Sequence, residues 1–173
     1  MAVGTADVTQ LARVAKALSD PIRLKMVGFM SEGRECCELP DLCTRNVPGS
    51  GTPAEGAKLY VDKGCNQCHG DNGRGGASNM LVGNPSLTAD GITSNKTIAN
   101  FWAYPTTLFD YIRRAMPWPT PHTLTDNEVY AICAYLLAAN NLIPQDQAMN
   151  AQTLPKVKMP NHDNFIVKFP DRI

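Results

Sequence analysis

The stretch "GCNQCHG", residues 64–70, decides how the chain reads. Cys65 and Cys68 flank two polar residues, and His69 follows at once. Two thiols at this spacing can add across the vinyl groups of a haem, and the adjacent imidazole then faces the iron from the same side. A bare Cys-x-x-Cys would equally suit a redox dithiol or half of a zinc site. A thioredoxin-like dithiol needs a βαβ context, which the pattern around residue 64 does not provide. A structural zinc site needs a second ligand pair, and Cys36, Cys37 and Cys43 lie at no usual spacing for one. The motif therefore reads as the attachment site of one covalent c-type haem, with Cys65 and Cys68 as the thioether residues and His69 as an axial ligand.

Composition narrows the surroundings. The 173 residues suffice for one ordinary domain with a small appendage, and the 43% apolar fraction is that of a globular chain. Sixteen basic and sixteen acidic residues cancel, so no electrostatic footprint for nucleic acid or an anionic membrane is present. Six cysteines are too few for a disulfide scaffold of this length. No apolar run is long enough to span a membrane. The start, "MAVGTADVTQLARVAKALSD", is amphipathic and carries Asp7, Arg13 and Lys16, so it does not read as a secretory signal.

Working outward, "TPAE" at 52–55 is a capping box with Pro53 at the first helical position, and predicts a helix to about Lys63. A Gly- and Asn-rich loop runs from Gly70 to about Lys96, and a helix is expected over Thr106–Ala115. "TDNE" at 125–128 is a second capping box. It opens a helix with Val129, Ile132, Cys133, Leu136 and Leu137 on one face, ending at Asn140-Asn141 before Pro144. Before residue 52, helical spacing over residues 1–43 gives way to "TRNVPGSGTP", so residues 44–51 read as a linker. The proline-spaced segment 144–173 reads as an irregular tail. No strand pattern stands out, and the class is all-α, with the haem domain at 52–143.

The second axial position calls for a methionine, whose thioether raises the reduction potential. Met80, Met116, Met149 and Met159 lie downstream. Met116 follows His69 by 47 positions and precedes Pro117, which cannot continue a helix and lets the chain turn a sulfur back. Met116 is the first candidate and Met80 the second.

"YVDKGCNQCHGDNGRGG" resembles the opening of class I cytochromes c, and "NFWAYPTTLFDYIRRAMPWPTPHTLTDNEVYAICAYLLAANNLI" is similar to monohaem domains of the SoxD and sulfite-dehydrogenase type. "KMPNHDNFIVKFPDRI" resembles the tail that follows the core in SoxD-like proteins. The resemblance covers residues 52–173. It implies a class I cytochrome c fold, with Gly56 and Tyr60 meeting Tyr135 where the first and last helices cross. It also implies Met116 as distal ligand and a carbonyl near "GNPSL", that of Pro85, accepting a hydrogen bond from His69. Trp102, Tyr104 and Trp118 could line the haem edge or pack plainly, and Arg113 and Arg114 could pair with propionates or with solvent. His122 reads as a loop residue and Cys133 as a core thiol.

The front of the chain is of another kind. "VAKALSDPIRLKMVGFMSEGRECCEL" resembles the start of ArsR-type metal-sensing repressors, giving an N-terminal helical appendage over residues 1–43. In that family cysteines near this point bind soft metals. Here Cys36 and Cys37 are adjacent, which makes it hard for both sulfurs to face one ion. The resemblance stops before any recognition helix, so DNA is not an expected partner. A haem- or thiol-based regulator is the competing function.

The function these readings imply is one-electron transfer in sulfite or thiosulfate oxidation. The expected partners are redox proteins: a dehydrogenase subunit, a cytochrome or an oxidase. No acid–base pair for catalysis on a small substrate is evident. The cytochrome part implies the periplasm, and the repressor-like part and the charged start imply the cytoplasm.

Overall fold

The computed structural model describes residues 47–83 and 96–164. Expectations for residues 1–43, Pro85 and the end of the tail lie outside the described residues. Helix α1, Pro53–Asp62, begins where the capping box required. The Thr52 hydroxyl accepts from the Glu55 N–H at 3.3 Å, and the Glu55 carboxylate accepts from the Thr52 N–H at 2.8 Å. The reciprocal bonds satisfy two donors that a helix start leaves open. Gly64, at φ +73°, then reverses the chain into α2, Cys65–His69.

Helix α3, Ile98–Phe101, is one turn that the sequence reading did not assign. Its signal is a third cap of the same kind: Thr97 accepts from Asn100 N–H, and Asn100 Oδ1 accepts from Thr97 N–H at 2.7 Å. Helix α4 spans Pro105–Ala115, with proline again at the first position, and buries Leu108, Phe109 and Ile112. Helix α5 spans Asp126–Ala139 behind the Thr125–Glu128 capping box and ends at Asn140. It is buried on more than the one face expected, since Tyr130, Ala131, Ala134 and Ala138 are buried as well.

Helix α5 is the spine of the core. Helix α1 crosses it where Gly56 lies against Ala131 and Tyr135; a Cβ on Gly56 would sit 2.7 Å from the Tyr135 Cβ and closer still to the Ala131 carbonyl. Helix α4 packs on another side, with the Phe109 and Tyr130 rings 4.5 Å apart between centroids.

The segments flanking the helices differ from their compositional reading. Ser50–Gly51 forms a short strand β1, antiparallel to β2, Met149–Asn150, with Gly51 opposite Met149. The Val47 carbonyl accepts from the Tyr130 hydroxyl at 3.1 Å, and Ser50 N–H donates to Asn127 Oδ1 at 3.0 Å. What composition marks as a linker is, from Val47 onward, fastened to α5. The tail is irregular but not peripheral. Met149, Leu154 and Met159 are fully buried, and Asn161 Nδ2 donates to the Phe101 carbonyl at 2.7 Å.

Candidate haem site

The site is built on α2 and the loop that returns over it. One helical turn separates Cys65, half-buried, from Cys68, exposed, and both are free thiols. Burial pushes the Cys65 thiol above its ordinary range, and the neighbouring Cys68 adds to this. Gly70, at φ +76°, ends the turn where its backbone touches that of Arg74 and Gly76; no side chain fits there. The buried Tyr60 hydroxyl donates to the Gly70 carbonyl at 3.0 Å, so α1 holds the end of the motif. Burial is the main reason that phenol is pushed up to about 12.

His69 is oriented by one bond. Its Nδ1 lies 2.8 Å from the carbonyl oxygen of Asn79. A carbonyl only accepts, so Nδ1 carries the proton and Nε2 is the nitrogen with a lone pair to give. Among the described residues no hydrogen bond engages Nε2. Among the described residues the partner of Nδ1 is the Asn79 carbonyl; Pro85, which the family resemblance implied, lies outside them. The loop is pinned nearby: Ser78 N–H donates to the Cys68 carbonyl at 2.8 Å, and Leu81 and Val82 N–H both donate to the Gly73 carbonyl.

Two thiols on one face of a short turn, beside an imidazole already in the Nδ1–H tautomer, fit a covalently attached haem. The thiols can form thioethers, and Nε2 can bind iron. Among the described residues, no group of three or more His, Cys, Asp or Glu side chains could hold a metal ion. The zinc alternative would depend on Cys36, Cys37 and Cys43, outside the described residues.

The other candidates separate. Met116 caps the C-terminus of α4 and packs, half-buried, against the core. Met80 is half-buried and adjoins Asn79, whereas Met149 and Met159 are fully buried core side chains. Trp102 meets Tyr111 edge-on at 5.7 Å, Tyr104 meets His162 at 5.1 Å, and Trp118 is 64% exposed. Arg113 pairs with Asp126 at 2.8 Å and Arg114 with Asp110 at 2.7 Å, so each guanidinium has a carboxylate partner within the chain. His122 is an exposed loop residue at φ +64°. Cys133 is fully buried, and burial pushes its thiol far up, as an inert core thiol requires.

A helical fold that presents a Cys-x-x-Cys-His turn with its histidine so oriented defines a c-type cytochrome. Residues 53–140 match the cytochrome c family over half of the chain, and the chain belongs to that family. Membership of that family implies covalently bound haem c and electron transfer. Among solved structures, it is similar to the sulfane dehydrogenase SoxCD from Paracoccus pantotrophus. The match has 34% identity and a TM-score of 0.65, covering 72% of this chain and 61% of that one. The chain thus spans less than two thirds of that relative's length. No curated protein sequence matches. Among the described residues no helix is long and apolar enough to cross a membrane.

Proposed function

We infer that the protein is a monohaem electron carrier of sulfur-compound oxidation, acting in the periplasm as partner or subunit of a dehydrogenase. The observation that carries this reading is the 34% identity to SoxCD in a chain that keeps the whole attachment motif. Haem bound at Cys65 and Cys68 supplies reversible one-electron ferric–ferrous chemistry. The chain's own contribution is to hold it covalently, to present Nε2 of His69, to bring a second ligand and to exclude water with the core of α4 and α5.

Met116 is the second ligand in this reading. The Asn79 carbonyl sits behind the His69 ring, on the side away from Nε2. Met80 follows Asn79 directly in sequence, so its backbone belongs to the segment whose carbonyl holds His69. The half-buried Met116, on a separate element at the end of α4, would supply the thioether that raises the reduction potential.

The experiment is expression with the haem-attachment machinery, followed by intact mass and visible spectrum. Tagged protein is then isolated from its native cells, and thiosulfate or sulfite is added. One haem per chain, a co-purifying dehydrogenase and reduction of the haem bands by the sulfur compound are expected. A haem protein that copurifies with no dehydrogenase, and that neither compound reduces, would remove the sulfur-oxidation role and leave electron transfer alone.

A further inference from the structure

Asn140 is 3% exposed and lies at the C-terminal end of α5, far along the chain from the attachment motif. Its side chain spends its hydrogen-bonding capacity on backbone. Nδ2 donates to the Leu136 carbonyl at 2.8 Å and to the Leu81 carbonyl at 3.1 Å, and Oδ1 accepts from the Gly83 N–H at 2.9 Å. Both donor hydrogens and one acceptor site of the amide are thereby used. Gly83 is gripped from its other side too, its carbonyl accepting from the Thr97 hydroxyl at 2.7 Å. The segment Leu81–Gly83 is held between α5 and the start of α3, two residues beyond the carbonyl that orients His69.

We propose that Asn140 is a positioning residue for the haem ligand: by fixing Leu81–Gly83 to α5, it holds the Asn79 carbonyl on His69 Nδ1 and so tunes the reduction potential. The inference rests on the haem reading above. A carbonyl held on Nδ1–H makes the imidazole a more basic ligand, and the more basic ligand favours ferric iron. Loosening the segment weakens that bond and shifts the equilibrium toward the ferrous form. An amide is suited to the task because it donates to one backbone group of the segment and accepts from another two residues on. A shorter or apolar side chain can do neither.

The test uses the full-length holoprotein and the variants Asn140→Ala and Asn140→Ser, with Val129→Ala as a control truncation three turns away on the same helix. Midpoint potential is measured by redox titration, and solvent exchange of the His69 Nδ1 proton by NMR on the ferrous protein. Both Asn140 variants should favour the ferrous form three- to tenfold, a rise of up to about 59 mV for one electron. They should also release the His69 proton faster, while the control changes stability but neither readout. An unchanged potential and exchange rate in either Asn140 variant would overturn the proposal and leave Asn140 a helix cap.

A measurement on the wild type decides the case even if neither variant retains haem. The His69 Nδ1 and Gly83 amide protons should accelerate together across a mild denaturant series, since one opening frees both. Independent responses would overturn the coupling. A wild-type protein that attaches no haem would instead defeat the haem reading itself.

Discussion

The rings of Tyr60 and Tyr135 meet 5.3 Å apart between centroids and tilted by 50°, across the point where Gly56 lets α1 settle on α5. This contact joins the helix before the attachment motif to the last helix of the core. Tyr60 continues it by donating to the Gly70 carbonyl at the end of the motif. The crossing of two helices far apart in sequence therefore sets where the haem-binding turn sits.

Gly56→Ala tests the crossing. Alanine would ordinarily favour a helix by up to about 1 kcal/mol. Here its Cβ meets the Ala131 carbonyl, part of a backbone that cannot step aside. Overpacking of this kind costs about 1–3 kcal/mol, so a net loss of stability is expected. Denaturant unfolding checks it, with a lower midpoint at an unchanged slope.

Covalent attachment is tested by acid–acetone extraction of the denatured protein. The colour should stay with the protein in the wild type, and Cys65→Ala/Cys68→Ala should lose all of it. Alkylation of the unfolded wild-type holoprotein should then leave Cys65 and Cys68 unmodified and label Cys133. In the native state Cys133 should resist as well, because burial keeps it a thiol.

Met116→Ala should abolish the weak sulfur-to-iron band at the red end of the ferric spectrum and lower the potential, since the thioether favours ferrous iron. Met80→Ala should keep the band. The reverse pattern would move the ligand to Met80.

Removal of residues 1–43 should leave the haem spectrum and thermal stability nearly as they were, because the strand, the helices and the candidate ligands that build the core all lie from Val47 onward. Removal of residues 1–51 should not. It takes away the Val47 carbonyl from the buried Tyr130 hydroxyl, the Ser50 bond to Asn127 and the pairing of β1 with β2. An unsatisfied buried hydroxyl alone costs about 1–3 kcal/mol. Equal melting temperatures for the two truncations would contradict this account.

Glu128 carries a pH dependence. Its carboxylate is held below its ordinary range, first by Lys63 at 2.7 Å and then by the Thr125 N–H. A carboxylate depressed in the folded state stabilises it above the unfolded pKa. That contribution is lost as pH falls through the folded value. Glu128→Gln should remove about 0.5–1 kcal/mol at neutral pH and little under acid conditions, as expected of a partly exposed ion pair. Thermal melts at several pH values show whether the wild type and variant converge on the acid side.

Local chemistry made several parts of this protein legible from sequence. Capping boxes at Thr52 and Thr125 depend only on residues three apart, so α1 and α5 begin where their patterns placed them. The attachment motif is equally local, because Cys65, Cys68 and His69 all lie within the five residues of α2. Tertiary structure decided the rest. Residues near Ser50 and Met149 look like linker and tail because a two-residue strand has no periodicity; only their meeting on α5 gives them a role. The acceptor for His69 is a backbone carbonyl, which any residue type can supply, so nothing in the side chain of Asn79 announces it. Asn140 reads as a helix end by its type, and as a brace for residues 81–83 only once the chain between them has folded back. Side-chain identity signals chemistry between neighbours in sequence, whereas backbone groups become specific partners only when the packing of α1 and α5 brings distant segments together.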